Sequence, residues 1–138
     1  MTTREDDRRS EARERALLLL YEADAKGGAP RDVVAHLPVA PDPLATLLVE
    51  GVQDHRDAID TLLADHARGW TLERMPVIDR TVLRIATFEL LERPDVPTPV
   101  VIDEAVELAK RFSTDDSGRF VNGMLSAIAR KVRPAAES

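Results

Sequence analysis

The sequence predicts an all-α fold, and three observations carry that prediction. Aromatics make up only 4% of the 138 residues, while Ala, Leu, Val, Arg, Asp and Glu abound, a balance that favours helix over sheet. Apolar residues recur in steps of three and four. Glycines and prolines fall between the periodic segments rather than inside most of them, so they read as helix boundaries.

The first helix is expected over residues 8–25, closed by Gly27-Gly28. Its "ALLLLYEAD" is apolar nearly all round, which predicts a buried helix. Pro30 opens a short helix reaching His36. Asp42 then caps a helix with Pro43 at its first position. One apolar stripe runs Leu44, Leu47, Leu48, Gly51, Val52, His55, Ile59, Leu62, Leu63, His66, so a single long helix is expected to end near Gly69. Trp70 and Met75 follow in a short connection and are expected to plug the core.

Pro76 opens "PVIDRTVLRIATFELLER". Its apolar face is wide enough for contact on more than one side. Thr98 is the expected cap of the next helix, with Pro99 first inside it. In the last helix Val121, Met124, Leu125, Ile128 and Val132 form one face, and Asp116 or Ser117 is the expected cap. Asn122-Gly123 falls inside this helix, where Gly costs about 1 kcal/mol relative to Ala. Close approach of a neighbouring helix is the expected reason for it. The opposite face carries Arg119, Asn122, Ser126, Arg130 and Arg133.

The chain has no cysteine, which excludes disulfides and thiolate metal sites. The polar start holds no apolar signal core, and no run reaches the length of a membrane span. A cytoplasmic protein is expected, with no membrane contact. The net charge of -6 is unevenly spread. Residues 16–109 carry eight bases against 17 acids, and residues 110–133 six bases against two acids.

No catalytic motif is present: there is no HExxH, P-loop, GxGxxG or GxSxG. His36, His55 and His66 lack metal-ligand spacing, and no metal is expected. The acid pairs Asp103-Glu104 and Asp115-Asp116 are expected at helix N-termini, complementing the helix dipole. Binding is the better reading than catalysis. Arginines at the start and the basic 110–133 segment suit phosphates, while Phe120 and Tyr21 suit base stacking.

"DRTVLRIATFELL", "VPTPVVIDEAVELAKRF" and "DDSGRFVNGML", with "ARERALLLLYEAD" near the start, resemble the transcription antitermination factor NusB family. The likeness spans residues 8–133. It implies a single all-α domain over residues 1–138 made of two small helical sub-bundles, with 1–7 disordered and 134–138 a frayed tail. It implies a non-enzymatic factor, without cofactor, that binds boxA-type single-stranded RNA together with the ribosomal protein NusE. Other Nus factors and RNA polymerase would be reached indirectly.

Carried onto this sequence, the RNA-binding positions are Arg8, Arg9, Arg13, Tyr21, Lys110, Asp116, Arg119, Phe120 and Asn122. Asn122 either reads a base or braces the turn, bracing being the favoured role. Ser10 and Glu11 interrupt the arginine run, so weak binding alone and tighter binding with the partner are expected. NusE is expected to dock on the helix that starts at Asp79, through Asp79, Leu83 and Thr87. A homodimer through the same wide face is a further arrangement that would cover it. Two other readings fit similar sequences: a protein–protein adaptor without RNA binding, and the helical domain that precedes the catalytic domain of some RNA methyltransferases.

Overall fold

The computed structural model describes residues 3–133, and among them every regular element is helical. The helices are α1 (Arg4–Lys26), α2 (Pro30–Ala35), α3 (Pro43–Asp54), α4 (Arg56–His66), α5 (Val77–Glu92), α6 (Thr98–Phe112) and α7 (Asp115–Val132), with a 3-10 turn at Leu72–Arg74. Helices α1, α2 and α3 pack on one another, α5, α6 and α7 on one another with α4 against α5 and α7, and α5 touches both groups. None of these helices is long and apolar enough to cross a membrane.

Helix α1 starts before the expected boundary. The Thr3 hydroxyl accepts from the Asp6 amide at 3.0 Å, and the Asp6 carboxylate accepts from the Thr3 amide at 3.3 Å. This reciprocal box satisfies two otherwise orphaned donors, so residues 4–7, expected to be disordered, form the first turn. The frayed tail expected at 134–138 lies outside the described residues. At the other end Gly27 adopts φ 70°, the left-handed cap its lack of a Cβ allows. Leu17, Leu19 and Leu20 are buried, but Leu18 and Tyr21 stay exposed, so α1 keeps one side open to water.

The single helix expected from Asp42 to Gly69 is two. Asp42 caps as expected, accepting from the Leu44 amide at 2.8 Å. The break falls at His55, with φ -108° and ψ 17°. The His55 amide still donates to the Gly51 carbonyl, and the Ile59 amide to the His55 carbonyl, so the helical path bends without unravelling. The ring of Phe88 presses on Gly51: a Cβ there would stand 2.3 Å from its Cζ. Phe88 also packs on the His55 ring, with centroids 5.4 Å apart. The kink thus coincides with a bulky ring driven into a glycine, a feature that apolar periodicity does not encode.

Three other boundaries differ from expectation. Met75 is buried as foreseen, but Trp70 is 50% exposed and plugs nothing. Thr98 does not cap α6; its hydroxyl accepts instead from Arg133. Thr114, rather than Asp116 or Ser117, caps α7 by accepting from the Ser117 amide at 3.0 Å. Asp115 and Asp116 do lie in the first turn of α7, whereas Asp103 and Glu104 both sit further into α6, where Glu104 is used in a tie to α1.

Helix α5 is the centre of the molecule: residues 81–90 are buried without interruption. Its wide apolar face is covered by the chain's own helices α1, α3, α4, α6 and α7. Three polar ties leave it, two buried and one part-buried. Asp79 accepts from the Ser117 hydroxyl on α7 at 2.8 Å. Arg84 donates to both carboxylate oxygens of Asp60 on α4 at 2.9 and 3.1 Å. Glu89 receives Arg13 of α1 at 2.7 and 2.9 Å.

Arg133, placed by the sequence pattern on the polar stripe of α7, turns inward. Its guanidinium donates to the carbonyls of Glu89, Leu90, Arg93 and Val96 and to the Thr98 hydroxyl, all within 3.1 Å. It thereby supplies a donor to the Leu90 carbonyl at the end of α5 and a second donor to the Glu89 and Arg93 carbonyls, which also accept from the Arg93 and Val96 amides.

Candidate nucleic-acid interface

The residues expected to bind RNA divide into three environments. Arg8 and Arg9 lie exposed on the first turns of α1. Arg8 pairs with Glu5 at 3.0 Å and with Asp42 at 3.4 Å, and its hydrogen bond to Glu5 raises its pKa above the ordinary arginine value. Arg9 lies 3.7 Å from Glu5 and 3.6 Å from Asp6. The backbone hydrogen bond from Thr3 holds the Asp6 carboxyl below its ordinary pKa, so it stays anionic beside Arg9. Exposed pairs of this kind are weak and exchangeable, so both guanidinium groups remain able to meet a phosphate.

Arg13 is different. Its side chain is only 4% exposed, bound in a fork by Glu89 and touched by Glu104 at 3.2 Å. Burial by itself disfavours the charged form; the Glu89 and Glu104 carboxylates outweigh that and raise the arginine pKa. The expected phosphate contact does not fit this position, because the cation is enclosed and already neutralised. The partner that encloses it lies 76 residues away, beyond the reach of a local pattern.

The second environment is an open groove of 490 Å³ between α6 and α7, lined by Asp103, Val106, Lys110, Asp115, Gly118, Arg119 and Asn122. Gly118 sets its depth: a Cβ there would stand 2.6 Å from Lys110 Cγ, so α7 lies directly on the lysine stem. This is the close helix approach the sequence reading assigned to Gly123, which has open space beside it. Lys110 is exposed and has no acidic partner among the described residues. Arg119 is exposed and bonds to Asp116 within the same turn, so the acid shares the cation with solvent. Asn122 is exposed and makes no side-chain hydrogen bond among the described residues, so it braces nothing. A second groove, of 470 Å³, runs along the other side of α6 and includes Asp6, Arg9, Ser10 and Val100. Asp103 lines both, which links the arginines of α1 to the α6–α7 groove.

The third environment is aromatic. Phe120 is half-buried, and its ring centroid lies 6.1 Å from that of Trp70, the planes tilted by 39°. Sequence reasoning missed Trp70 as a surface residue. Gly69, just before it, adopts φ 76°, a backbone state that favours glycine but does not by itself say where the next side chain lies. Tyr21 is 44% exposed but lies twelve residues along α1 from Arg9, about 18 Å at 1.5 Å per residue. It lines neither groove.

The expected docking residues are inside the protein. Asp79 is 3% exposed, and Leu83 and Thr87 are fully buried, so none of the three can meet a partner directly. A wide apolar face signals burial on several sides, and here the chain itself supplies every side.

The family model that describes the NusB family matches residues 10–130. The transcription antitermination protein NusB of Saccharopolyspora erythraea is 52% identical over 127 residues, which cover 88% of this chain and 86% of that protein. The chain belongs to the NusB family. Its fold matches T. maritima NusB with a TM-score of 0.82 at 33% identity, over 95% of this chain and 94% of that one. It also matches a chain in a crystal structure of the antitermination factors NusB and NusE in complex with dsRNA, with a TM-score of 0.77 at 29% identity, over 91% of this chain and 98% of that one. Family membership gives the α6–α7 groove a context: Lys110 and Asn122, which line it, belong to the segments "ELAK" and "FVNG" on which the resemblance rested.

Proposed function

We propose that the protein is a transcription antitermination factor that binds boxA-type single-stranded RNA with a NusE-type ribosomal protein and joins the antitermination complex on RNA polymerase. The observation that carries this reading is the α6–α7 groove, where Lys110, Arg119 and Asn122 present two cations and an uncommitted amide side by side in a member of the NusB family. Lys110 and Arg119 take phosphates, and Asn122 offers both a donor and an acceptor to a base edge. Arg8 and Arg9 add phosphate contacts, Asp116 positions Arg119, and Phe120 offers a ring face. Arg13 supports this surface from inside through Glu89 and Glu104. Tyr21 would be reached only by a strand or partner extending along α1. Asp79, Leu83 and Thr87 influence NusE docking only through the packing of α5.

The test is fluorescence anisotropy of a labelled boxA-like single strand, titrated with the protein with and without the NusE-type partner, at two salt concentrations. A scrambled strand is the control. Selective binding that tightens with the partner and weakens with salt is the expected result. Absence of selective binding in both settings would overturn the reading in favour of a protein–protein adaptor.

A further inference from the structure

Trp70 is the single tryptophan of the chain, and half of its surface meets water. Nothing in the packing of the fold requires so large a ring outside. Trp70 follows Gly69, which adopts φ 76°, and its ring centroid lies 6.1 Å from that of Phe120, which anchors the pair because it is itself half-buried on α7.

One turn beyond Phe120 lies Gly123. It is exposed, and no atom stands within 4 Å of where its Cβ would be. A helix-interior glycine without a packing reason weakens the helix for no structural return. At about 100° per residue, Arg119 and Arg130 project within about 40° of Gly123 on one flank, and Phe120 about 60° away on the other. The exposed crest of α7 thus has bare backbone between two arginines and the Phe120 ring, on which Trp70 packs.

We propose that Trp70, Phe120 and Gly123 form a shelf that receives unpaired bases of an RNA strand. Trp70 is the outer ring, Phe120 the inner one and Gly123 the floor; Arg119 and Arg130 hold the phosphates alongside. This rests on the RNA-binding reading above and adds Trp70 and Gly123 to it. The flat faces suit nucleobases, and stacking on them is tolerant of sequence. The cations Arg119, Arg130 and Lys131, opposed on this crest by Asp116, call for an anionic occupant. A floor without a Cβ lets a strand lie against the helix backbone.

The experiment follows the emission of Trp70 in the full chain during titration with the boxA-like strand, beside a NusE-type protein free of tryptophan. Emission is expected to be quenched at the same midpoint as the anisotropy change. Trp70→Ala is expected to weaken RNA binding about tenfold with an unchanged thermal midpoint. Gly123→Ala is expected to raise the thermal midpoint by a few degrees yet weaken RNA binding, opposite signs that a structural role cannot produce. Selective RNA binding by the wild type, with unmoved emission and full affinity in both variants, would overturn the shelf alone. Loss of affinity for the NusE-type protein in Trp70→Ala, with RNA affinity intact, would assign the rings to a protein partner and overturn it too. No RNA binding by the wild type would overturn both the shelf and the reading beneath it.

Discussion

Replacing Arg13 by alanine separates the two roles that sequence and structure give this residue. Arg13 donates to Glu89 at 2.7 and 2.9 Å with both side chains almost fully enclosed. Removing the guanidinium leaves the Glu89 carboxylate buried with one remaining cation, Arg93, at 3.0 Å. Breaking a buried pair costs about 3–5 kcal/mol. Retention of Arg93 places the loss at the lower end, about 3 kcal/mol. For a domain of this size each kcal/mol moves the midpoint by roughly 3–4 °C, so Arg13→Ala should unfold about 10 °C below wild type. Circular dichroism on heating reads this directly. The double change Arg13→Met with Glu89→Leu should recover most of the loss, because the charges left behind, Arg93 and Glu104, both reach solvent. RNA binding measured below the lowered midpoint supplies the second axis. The slope of log affinity against log salt should be unchanged in Arg13→Ala, whereas Arg9→Ala should flatten it by about 0.7. A wild-type midpoint with a flattened slope in Arg13→Ala would refute the internal role and return the residue to the RNA surface.

Arg133→Met removes the donor shared by four carbonyls and the Thr98 hydroxyl, and should cost about 2–3 kcal/mol; a urea midpoint equal to wild type would contradict the clamp. Gly51→Ala places a Cβ 2.3 Å from the buried Phe88 ring and should destabilise by about 1–3 kcal/mol, with Phe88→Leu in the same chain restoring part of it. Thr87→Val should be neutral or stabilise by about 1 kcal/mol, because the Thr87 hydroxyl is buried without a hydrogen-bond partner. It should leave affinity for the NusE-type protein unchanged, and a loss there would mean that Thr87 is reached in the complex.

Helices and most of their ends were legible in the sequence because capping residues, prolines and apolar spacing act within a few residues of one another. Asp42 and Gly27 behave as their local chemistry dictates. The misread features all depend on distant chain. His55 lies on an unbroken apolar stripe, and the bend there accompanies Phe88, 33 positions later. Arg13 reads as a surface cation until Glu89 is folded against it. Asp79, Leu83 and Thr87 read as an uncovered face, since a single helix pattern cannot say whose atoms will cover it. The basic, amide-bearing groove of α6 and α7 was legible through Lys110, Arg119 and Asn122, which periodicity places on exposed positions. Trp70 was not, because a large apolar ring carries no mark of whether it is held in or left out.

The three ties of α5 have a consequence for uniqueness. A helix enclosed on every side has no amphipathic face, so apolar burial alone is nearly indifferent to its rotation about its own axis. Asp79, Arg84 and Glu89 follow one another at intervals of five residues, so successive ones project about 140° apart and the first and last about 80° apart. Each finds its mate on a different neighbour: α7, α4 and α1. Rotating α5 by one residue, or sliding it by one turn of about 5.4 Å, would strand at least two buried ionic groups at once. The ties thus act as a three-pin key: contributing little net stability in the native arrangement, they make every neighbouring arrangement expensive.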